Sequence, residues 1–181
     1  MKKLIALVGM PGAGKSVAAD FFKTKNLPVL RFGDQVDLGL KELGMPLIEK
    51  NERWYREDLR KQFGMEAMAV KIFPRIIKNQ DSHDIIILDG LYSWEEYVFL
   101  KEKFPSLFLL HIYASPKYRH ERLHKREIRP LTMEEALSRD VAEIENLHKG
   151  GPIAIADYVI INTGSPKEFE EALERFYSTL I

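Results

Sequence analysis

Residues 9–16 read GMPGAGKS, so a lysine and a serine close a short loop that contains three glycines. Glycine adopts backbone angles that other residues resist. Successive N–H groups of such a loop, next to a helix N-terminus, form a concave anion site. The spacing matches the phosphate-binding loop pattern G-x-x-x-x-G-K-[ST]. We therefore expect Lys15 to reach the β- and γ-phosphates of a nucleotide and the Ser16 hydroxyl to bind Mg²⁺. The alternative is a glycine-rich turn with a solvated lysine.

A carboxylate ends the third apolar run of the chain, DIIILDG, and belongs to Asp89. In phosphate-loop proteins a carboxylate in this place holds Mg²⁺ or one of its water molecules. Asp-Gly is also common in plain turns that leave a strand, which is the alternative. The sequence thus predicts a metal site made by Ser16 and Asp89.

Residues 117–130, KYRHERLHKREIRP, contain six Lys or Arg. Three of them share one helical face at spacing i, i+3 and i+7: Arg119, Arg122 and Arg126. Phosphoryl transfer needs guanidinium groups that stabilise the charge of the transition state. A solvated basic helix and an RNA-binding surface are the alternatives. The loop EIRPLT leads to a second helix with Arg139 and Asp140, so residues 117–140 are predicted to form a lid hairpin.

Two segments are candidates for binding a phosphoryl acceptor. Gly33 and Asp34 follow the second apolar run, at the sheet edge where ligands of open α/β sheets bind. Asp34 is a candidate general base or acceptor-positioning residue, and an N-cap role is the alternative. The second segment carries three arginines on one helix face: Arg53, Arg56 and Arg60. They are suited to an acceptor phosphate, or they pair with Glu57 and Asp58 in a surface network.

Five short apolar runs alternate with helical segments: KKLIALV, LPVLRF, DIIILDG, SLFLLHIYAS and DYVIIN. This alternation predicts an α/β fold with a parallel sheet and helices on both faces. Three helix starts carry capping boxes: Ser93 with Glu96, Thr132 with Glu135, and Ser165 with Glu168. About fifty residues with three helices separate the second and third runs, too many for a simple crossover. We interpret residues 35–80 as an acceptor-binding insertion.

Length and composition restrict the class of protein. The chain has 181 residues, which predicts one domain, and its formal net charge is zero. No global field draws it to nucleic acid or to an anionic membrane. The absence of cysteine excludes disulfides and thiolate metal sites. The first apolar run is too short for a signal peptide, and no stretch approaches the length of a membrane span. A cytoplasmic protein without a membrane partner is expected.

The ordered series of motifs resembles the nucleoside-monophosphate kinase group, which includes adenylate kinase and dephospho-coenzyme A kinase. It looks similar to small archaeal adenylate-kinase-related proteins, which share GMPG-GKS, GD, REDLR--FG, DG, ASPK-R-ERL--R and ADY-I-N-GS in this order. The resemblance covers essentially the whole chain. It implies a P-loop NTPase fold with a five-stranded parallel sheet of order 2-3-1-4-5, a helical acceptor-binding insertion, a short lid, and ATP at the loop.

The resemblance also implies roles for single residues. The ATP phosphates would contact Gly9, Met10, Pro11, Gly12, Ala13, Gly14, Lys15, Ser16 and Val17. Arg122 and Arg126 match lid arginines, with Arg126 near the adenine, and Arg139 would act from the second lid helix. The loop that lines the adenine pocket is matched by Asn162, Thr163 and Gly164. The acceptor side is matched by Gly33, Asp34 and Gly90.

Two departures from adenylate kinases concern the acceptor. Asp37 and Ser93 stand where those enzymes have arginines that hold the AMP phosphate. Neither replaces a bidentate guanidinium, so Arg56 or Arg60 would have to supply the phosphate contact.

The favoured hypothesis is an ATP- and Mg²⁺-dependent phosphotransferase that acts on a small phosphorylated acceptor, such as a nucleoside monophosphate, with AMP as the first candidate. The first alternative is a regulatory P-loop ATPase that couples nucleotide hydrolysis to binding of protein or RNA. A kinase with a non-nucleotide acceptor, as in dephospho-coenzyme A kinase, is the second alternative. The insertion and the lid favour the kinase, and the zero net charge argues against a nucleic acid partner.

Overall fold

Five parallel strands form one sheet in the computed structural model, which describes residues 2–127 and 130–180. The strands are β1 (Lys3–Val8), β2 (Val29–Arg31), β3 (Ile85–Asp89), β4 (Leu107–Tyr113) and β5 (Tyr158–Ile161). Their order is β2-β3-β1-β4-β5, which confirms the predicted fold class and strand order. The predicted loop between the two lid helices includes residues 128 and 129, which lie outside the described residues.

Helices separate the strands, as the alternation of apolar runs and helical segments predicts. They are α1 (Lys15–Thr24), α2 (Asp34–Glu42), α3 (Glu49–Phe63), α4 (Ala67–Gln80), α5 (Trp94–Lys103), α6 (Pro116–Lys125), α7 (Met133–Glu145), α8 (Gly150–Ala154) and α9 (Pro166–Tyr177). All three predicted capping boxes form, at the starts of α5, α7 and α9. None of the helices in the described part of the chain is long and apolar enough to cross a membrane.

Three details differ from the sequence-based expectations. The short helix α8 has no counterpart among them. Arg126 lies beyond the end of α6 in an extended conformation (φ −69°, ψ 144°), so it does not continue the helical face of Arg119 and Arg122. Helix α2 begins at Asp34 with Gly33 as its N-cap and without a side-chain cap, so the N-cap alternative for Asp34 does not hold.

The core lies on both faces of the sheet. Leu4, Ala6 and Val8 point to the face covered by α2, α4 and α5. Ile5 and Leu7 alternate with them and pack on the other face, which is covered by α1 and α9. Because β1 is central and buried on both faces, its sequence is a continuous apolar run rather than an alternating one.

Helices α2, α3 and α4 form the long connection between β2 and β3, and each packs against the next. Gly39 of α2 permits close packing on α3, since a Cβ atom there would collide with the Tyr55 hydroxyl. The three helices of this connection therefore pack together beside the carboxyl edge of the sheet.

Candidate active site

The loop between β1 and α1 requires glycine for both conformation and packing. Gly9, Gly12 and Gly14 all have positive φ angles (143°, 78° and 107°), which side chains resist. A Cβ atom at Gly12 would lie 2.6 Å from the carbonyl oxygen of Arg119, and one at Gly14 would collide with the Asn162 amide. The loop is therefore held by the elements that follow β4 and β5.

Lys15 is the first residue of α1 and turns back into the loop. Its Nζ donates to the carbonyl oxygens of Gly9 at 2.7 Å and Met10 at 3.2 Å. Burial, followed by the charge of Lys149, lowers the pKa of Lys15 to about 7. A phosphate oxygen carries more negative charge than a carbonyl oxygen, so an anion in the loop is a stronger partner for this ammonium.

A cavity of about 440 Å³ opens in front of this loop, and we call it the phosphate-loop cavity. Among the described residues, its charged lining consists of six cationic side chains and two carboxylates: Lys15, Arg31, Arg122, Arg126, Arg139 and Lys149 against Asp89 and Glu143. This excess of positive charge fits a nucleoside triphosphate. Ser16 and Asp89 both line the cavity, and a hydroxyl with one carboxylate beside phosphate oxygens is a common donor set for Mg²⁺. Burial raises the pKa of Asp89.

A second cavity of about 540 Å³ continues from the first one between α6 and the start of α9, and we call it the α6–α9 cavity. Both are lined by Gly14, Val17, Arg122 and Arg126. Asn162 and Gly164 line the α6–α9 cavity, whereas Thr163 is not part of its lining, and the adenine contacts of all three stay a prediction. Tyr118 and Pro166 supply apolar surface suited to a base.

Asn162 and Arg122 connect the loop after β5 to the glycine-rich loop. The Asn162 amide donates to the carbonyl oxygen of Ala13 at 2.8 Å. Arg122 donates to the Asn162 carbonyl oxygen at 2.9 Å and to that of Gly12 at 3.5 Å. Arg122 thus lies beside the loop, and a phosphate there would compete with carbonyl oxygens for its guanidinium.

Arg119 is buried and joins α6, α7 and the glycine-rich loop. Its guanidinium donates to both carboxylate oxygens of Asp140 at 2.8 and 2.7 Å and to the Pro11 carbonyl oxygen at 3.0 Å. His120 lies 2.9 Å from the same carboxylate. Burial opposes ionisation of Asp140, but the hydrogen bonds from Arg119 and His120 prevail and lower its pKa. Arg119 therefore positions the loop and is engaged with Asp140 rather than exposed to a ligand.

Asp140→Asn is expected to reduce the free energy of unfolding by about 3–5 kcal/mol, because it leaves the Arg119 guanidinium buried without its counter-ion. Urea denaturation of the two proteins measures the change. The matched control is Asp20→Asn, which breaks an exposed pair with Lys23 and is expected to cost less than about 1 kcal/mol. A loss for Asp140→Asn no larger than that of the control would contradict the assignment.

A third cavity of about 550 Å³ lies between β2, α2, α3, α5 and α7, and we call it the arginine cavity. Its charged lining, among the described residues, is Arg31, Arg56, Arg60, Arg139, Asp37, Glu52, Glu96 and Glu143. Arg56 lies 3.5 Å from Glu52. Arg53 instead pairs with Glu57 at 3.0 Å on the exposed surface, so the surface-network interpretation holds for Arg53.

Asp34 does not line the arginine cavity, although Gly33 does. Its carboxylate lies 3.4 Å from Arg75 and 4.0 Å from Arg31. Asp37, one helical turn later, faces the cavity in its place. Gly90 is also outside the lining and turns the chain after β3 with a φ of 105°. Gly33, Arg56 and Arg60 thus line the arginine cavity, whereas Asp34 and Gly90 do not, and the acceptor contacts of these residues stay a prediction.

Glu96 is a buried carboxylate in the same cavity. It accepts hydrogen bonds from the backbone N–H groups of Tyr92 at 2.7 Å and Ser93 at 3.2 Å. Burial nevertheless raises the pKa of Glu96 from 4.5 to about 7. The folded protein therefore keeps a proton that the unfolded chain releases between those two pH values.

Wild-type protein is expected to lose stability relative to Glu96→Gln as the pH rises from about 4.5 to about 7, because only the wild type has to ionise a buried group. Urea denaturation near pH 5 and near pH 7.5 measures the difference between the two proteins. Glu135→Gln, in the exposed capping box of α7, is the matched control and is expected to show no such trend. A pH-independent difference for Glu96→Gln would contradict the prediction.

The phosphate-loop cavity and the arginine cavity meet at four residues that line both: Arg31, Tyr92, Arg139 and Glu143. Of these, only Arg139 was predicted from the sequence. Glu143 lies 3.3 Å from Arg139, and their i, i+4 spacing on one helix was the available signal. Tyr92 and the neighbouring Lys149 carried no such signal, because their place in the site depends on the packing of distant segments.

Comparison with known proteins agrees with this architecture. The AAA domain family matches residues 5–157. TT1252 from Thermus thermophilus superposes with a TM-score of 0.65 at 21% identity and covers 99% of this chain and 98% of its own. Shikimate kinase from Bacteroides thetaiotaomicron superposes with a TM-score of 0.63 at 13% identity, with 98% of each chain covered. Identities this low show the fold alone, and the fold is that of a P-loop kinase-like domain.

Proteins that are similar to this chain in sequence identify its family. The UPF0200 protein of Methanocaldococcus jannaschii is 37% identical over 179 residues, which are 98% of this chain and 88% of the relative. The UPF0200 protein of Pyrococcus abyssi is 33% identical over 175 residues, with 94% and 93% covered. This chain belongs to the UPF0200 family.

Proposed function

We propose that this protein is an ATP- and Mg²⁺-dependent phosphotransferase whose acceptor is a small phosphorylated molecule, such as a nucleoside monophosphate, with AMP as the first candidate. One observation carries the proposal: the phosphate-loop cavity and the arginine cavity share Arg31, Tyr92, Arg139 and Glu143. A nucleotide that fills the first cavity and a molecule that fills the second would be neighbours at this boundary. Transfer between two bound molecules needs such an arrangement, whereas hydrolysis needs only one of the cavities.

The arginine cavity is suited to a nucleoside monophosphate by its chemistry. Arg56 and Arg60 offer guanidinium groups to a phosphate, while Asp37 and Glu52 offer acceptors to ribose hydroxyls. Ser93 takes no part, because its buried hydroxyl accepts a hydrogen bond from the Glu96 N–H at 3.0 Å and caps α5. These two arginines therefore replace, in this proposal, the phosphate contacts that adenylate kinases make from other positions.

The donor side follows from the phosphate-loop and α6–α9 cavities. ATP would place its phosphates against Lys15 and its base near Tyr118 and Pro166. The Ser16 hydroxyl and the Asp89 carboxylate would hold Mg²⁺. The metal would supply charge neutralisation for the phosphate oxygens. The α6–α7 hairpin, residues 117–140, would cover the nucleotide as a lid, and the α2–α4 segment, residues 35–80, would hold the acceptor.

The test is transfer of a labelled γ-phosphoryl group. Purified protein is incubated with ATP, Mg²⁺ and one nucleoside monophosphate at a time, and the products are separated from inorganic phosphate. We expect label in a nucleoside diphosphate and ADP release that depends on the acceptor. Arg60→Ala is expected to raise the acceptor KM, and Arg53→Ala, on the same helix but outside the cavity, to leave it unchanged. Acceptor-independent phosphate release would overturn the proposal and favour the regulatory ATPase.

Asp89→Asn is expected to raise the Mg²⁺ concentration for half-maximal turnover about tenfold or more, while nucleotide affinity changes little, because this carboxylate acts through the metal or its water. Turnover at graded Mg²⁺ and calorimetric titration of nucleotide give the two quantities. Asp84→Asn, at the opposite end of β3, is the matched control. Wild-type metal dependence in Asp89→Asn would mean that Asp89 is only a turn residue.

A further inference from the structure

Lys149 is a buried ammonium group at the inner wall of the phosphate-loop cavity. Only 1% of the residue is exposed, yet it belongs to the lining of the cavity. Its Nζ forms an ion pair with the Glu143 carboxylate and lies 4.7 Å from the ring centroid of Tyr92. Its backbone N–H donates to the Glu143 carbonyl oxygen at 3.2 Å. Two contacts to one residue of α7 thus hold Lys149 in place.

A lysine at this position is not expected to stabilise the fold more than an apolar side chain of similar volume would. Burial of an ammonium costs several kcal/mol, and one ion pair commonly recovers no more than apolar packing of the same volume would. Burial lowers the pKa of Lys149 against the opposing effect of Glu143. An aliphatic side chain would pack on Tyr92 without this cost. A charge kept here at such a cost indicates a ligand of opposite charge.

The lining of the phosphate-loop cavity is unbalanced in the same sense, with six cationic side chains against the carboxylates of Asp89 and Glu143 among the described residues. The single carboxylate of Glu143 contacts both Lys149 and Arg139. Lys149 is also close enough to Lys15 to lower the pKa of that residue, after burial as the main cause. Two lysines that repel each other therefore line the phosphate-loop cavity, and an anion between them would relieve their repulsion.

The position of Lys149 beside Glu143 and Tyr92 indicates which anion would bind there. Glu143, Arg139 and Tyr92 lie on the boundary between the phosphate-loop cavity and the arginine cavity, and Lys149 contacts two of the three. A phosphoryl group that moves from a nucleotide to an acceptor has to cross this boundary. The β-phosphate and the α-phosphate of the nucleotide would remain at the glycine-rich loop.

We propose that Lys149 contacts the phosphoryl group during its transfer and that Glu143 is the partner of its ammonium when the site is empty. This inference rests on the proposed function. In the transfer the bond between the γ-phosphorus and its bridging oxygen breaks, and a bond from an acceptor oxygen to the same phosphorus forms. Lys149 exchanges no proton and stabilises negative charge on the non-bridging oxygens.

The test uses binding of a transition-state mimic, so it does not depend on turnover. Displacement of a fluorescent nucleotide measures the affinity of ADP with Mg²⁺, first alone and then with fluoroaluminate, in the absence and presence of AMP. For Lys149→Met we expect an ADP affinity within about twofold of wild type. The factor by which fluoroaluminate increases this affinity, which we call the tightening, is expected to fall about tenfold or more. Lys101→Met is the matched control, since its Nζ donates to the Leu107 carbonyl oxygen at 2.9 Å, at the start of β4 and away from the carboxyl edge of the sheet.

A second variant keeps the test valid if Lys149→Met fails to fold. Lys149→Met combined with Glu143→Gln removes both charges of the buried pair, while Arg139, which also contacts Glu143, is half-exposed and stays solvated. We expect the same loss of tightening. Normal tightening in either folded variant would overturn the inference and leave the proposed function intact. A wild-type protein that binds nucleotide without any tightening would overturn the inference as well. A wild-type protein that binds no nucleotide would overturn both.

Discussion

Lys15→Ala is expected to lower kcat/KM for ATP turnover by about a thousandfold or more, since single preorganised contacts to developing charge in phosphoryl and acyl transfer have effects of this order. Among the described residues, the Lys15 ammonium donates to carbonyl oxygens of its own loop, those of Gly9 and Met10. Its removal therefore takes away the charge that faces the phosphates and leaves the packing of α1 unchanged.

The same variant is expected to be at least as stable as wild type. Burial lowers the pKa of Lys15 to about 7, so the folded state holds this ammonium at a cost that alanine does not have. Thermal unfolding and single-turnover kinetics on the same preparation separate loss of function from loss of fold. Lys23→Ala, an exposed lysine of the same helix that pairs with Asp20, is the matched control. ATP turnover within a few-fold of wild type in folded Lys15→Ala would contradict the phosphate-loop assignment.

Arg122→Ala and Arg126→Ala are expected to lower kcat much more than they weaken ATP binding. Arginines that stabilise the transition state of phosphoryl transfer contribute on the order of 10³–10⁵ in rate. Both residues line the phosphate-loop cavity and the α6–α9 cavity, and Arg122 is already oriented toward the glycine-rich loop by its contact with Asn162. Single-turnover transfer and equilibrium nucleotide binding, measured in parallel, give the two quantities.

The same variants separate the kinase from an RNA-binding ATPase. If α6 follows an RNA backbone, removal of an arginine should leave turnover nearly intact. It should weaken RNA binding instead and reduce the salt dependence of binding by about one unit of slope for each phosphate that the variant no longer neutralises. Lys117→Ala, on the same helix but outside both cavities, is the control for a general charge effect. Turnover within a few-fold of wild type, combined with weakened RNA binding, would favour the regulatory function over the kinase.

The elements of this protein could be predicted from its sequence because their signals are local. The glycine-rich loop needs backbone angles that only glycine adopts freely, and Gly12 and Gly14 have them. The capping box of Ser93 and Glu96 depends on residues three apart, so its pattern is visible in the chain itself. Continuous apolar runs identified the parallel strands, of which β1, β3 and β4 are largely buried. The strand order was implied by resemblance, and the structure confirms it.

The directions of single side chains were decided by tertiary structure. Asp34 and Asp37 differ by one helical turn, and the sequence favoured Asp34 because it directly follows the second apolar run. Arg75 of α4 attracts the carboxylate of Asp34, which leaves Asp37 facing the arginine cavity. Arg126 fits a helical spacing, yet α6 ends one residue before it. Such outcomes depend on a partner from another element or on where a helix ends.

The boundary between the phosphate-loop cavity and the arginine cavity could not be predicted from sequence patterns for the same reason. Tyr92 precedes α5, Glu143 belongs to α7, and Lys149 precedes α8, so the three meet only after the sheet has placed β3, β1, β4 and β5 in this order. A local pattern records which backbone conformations and buried faces a segment favours. It does not record which charges from distant segments will share a cavity, because that pairing is set by the packing of the whole domain.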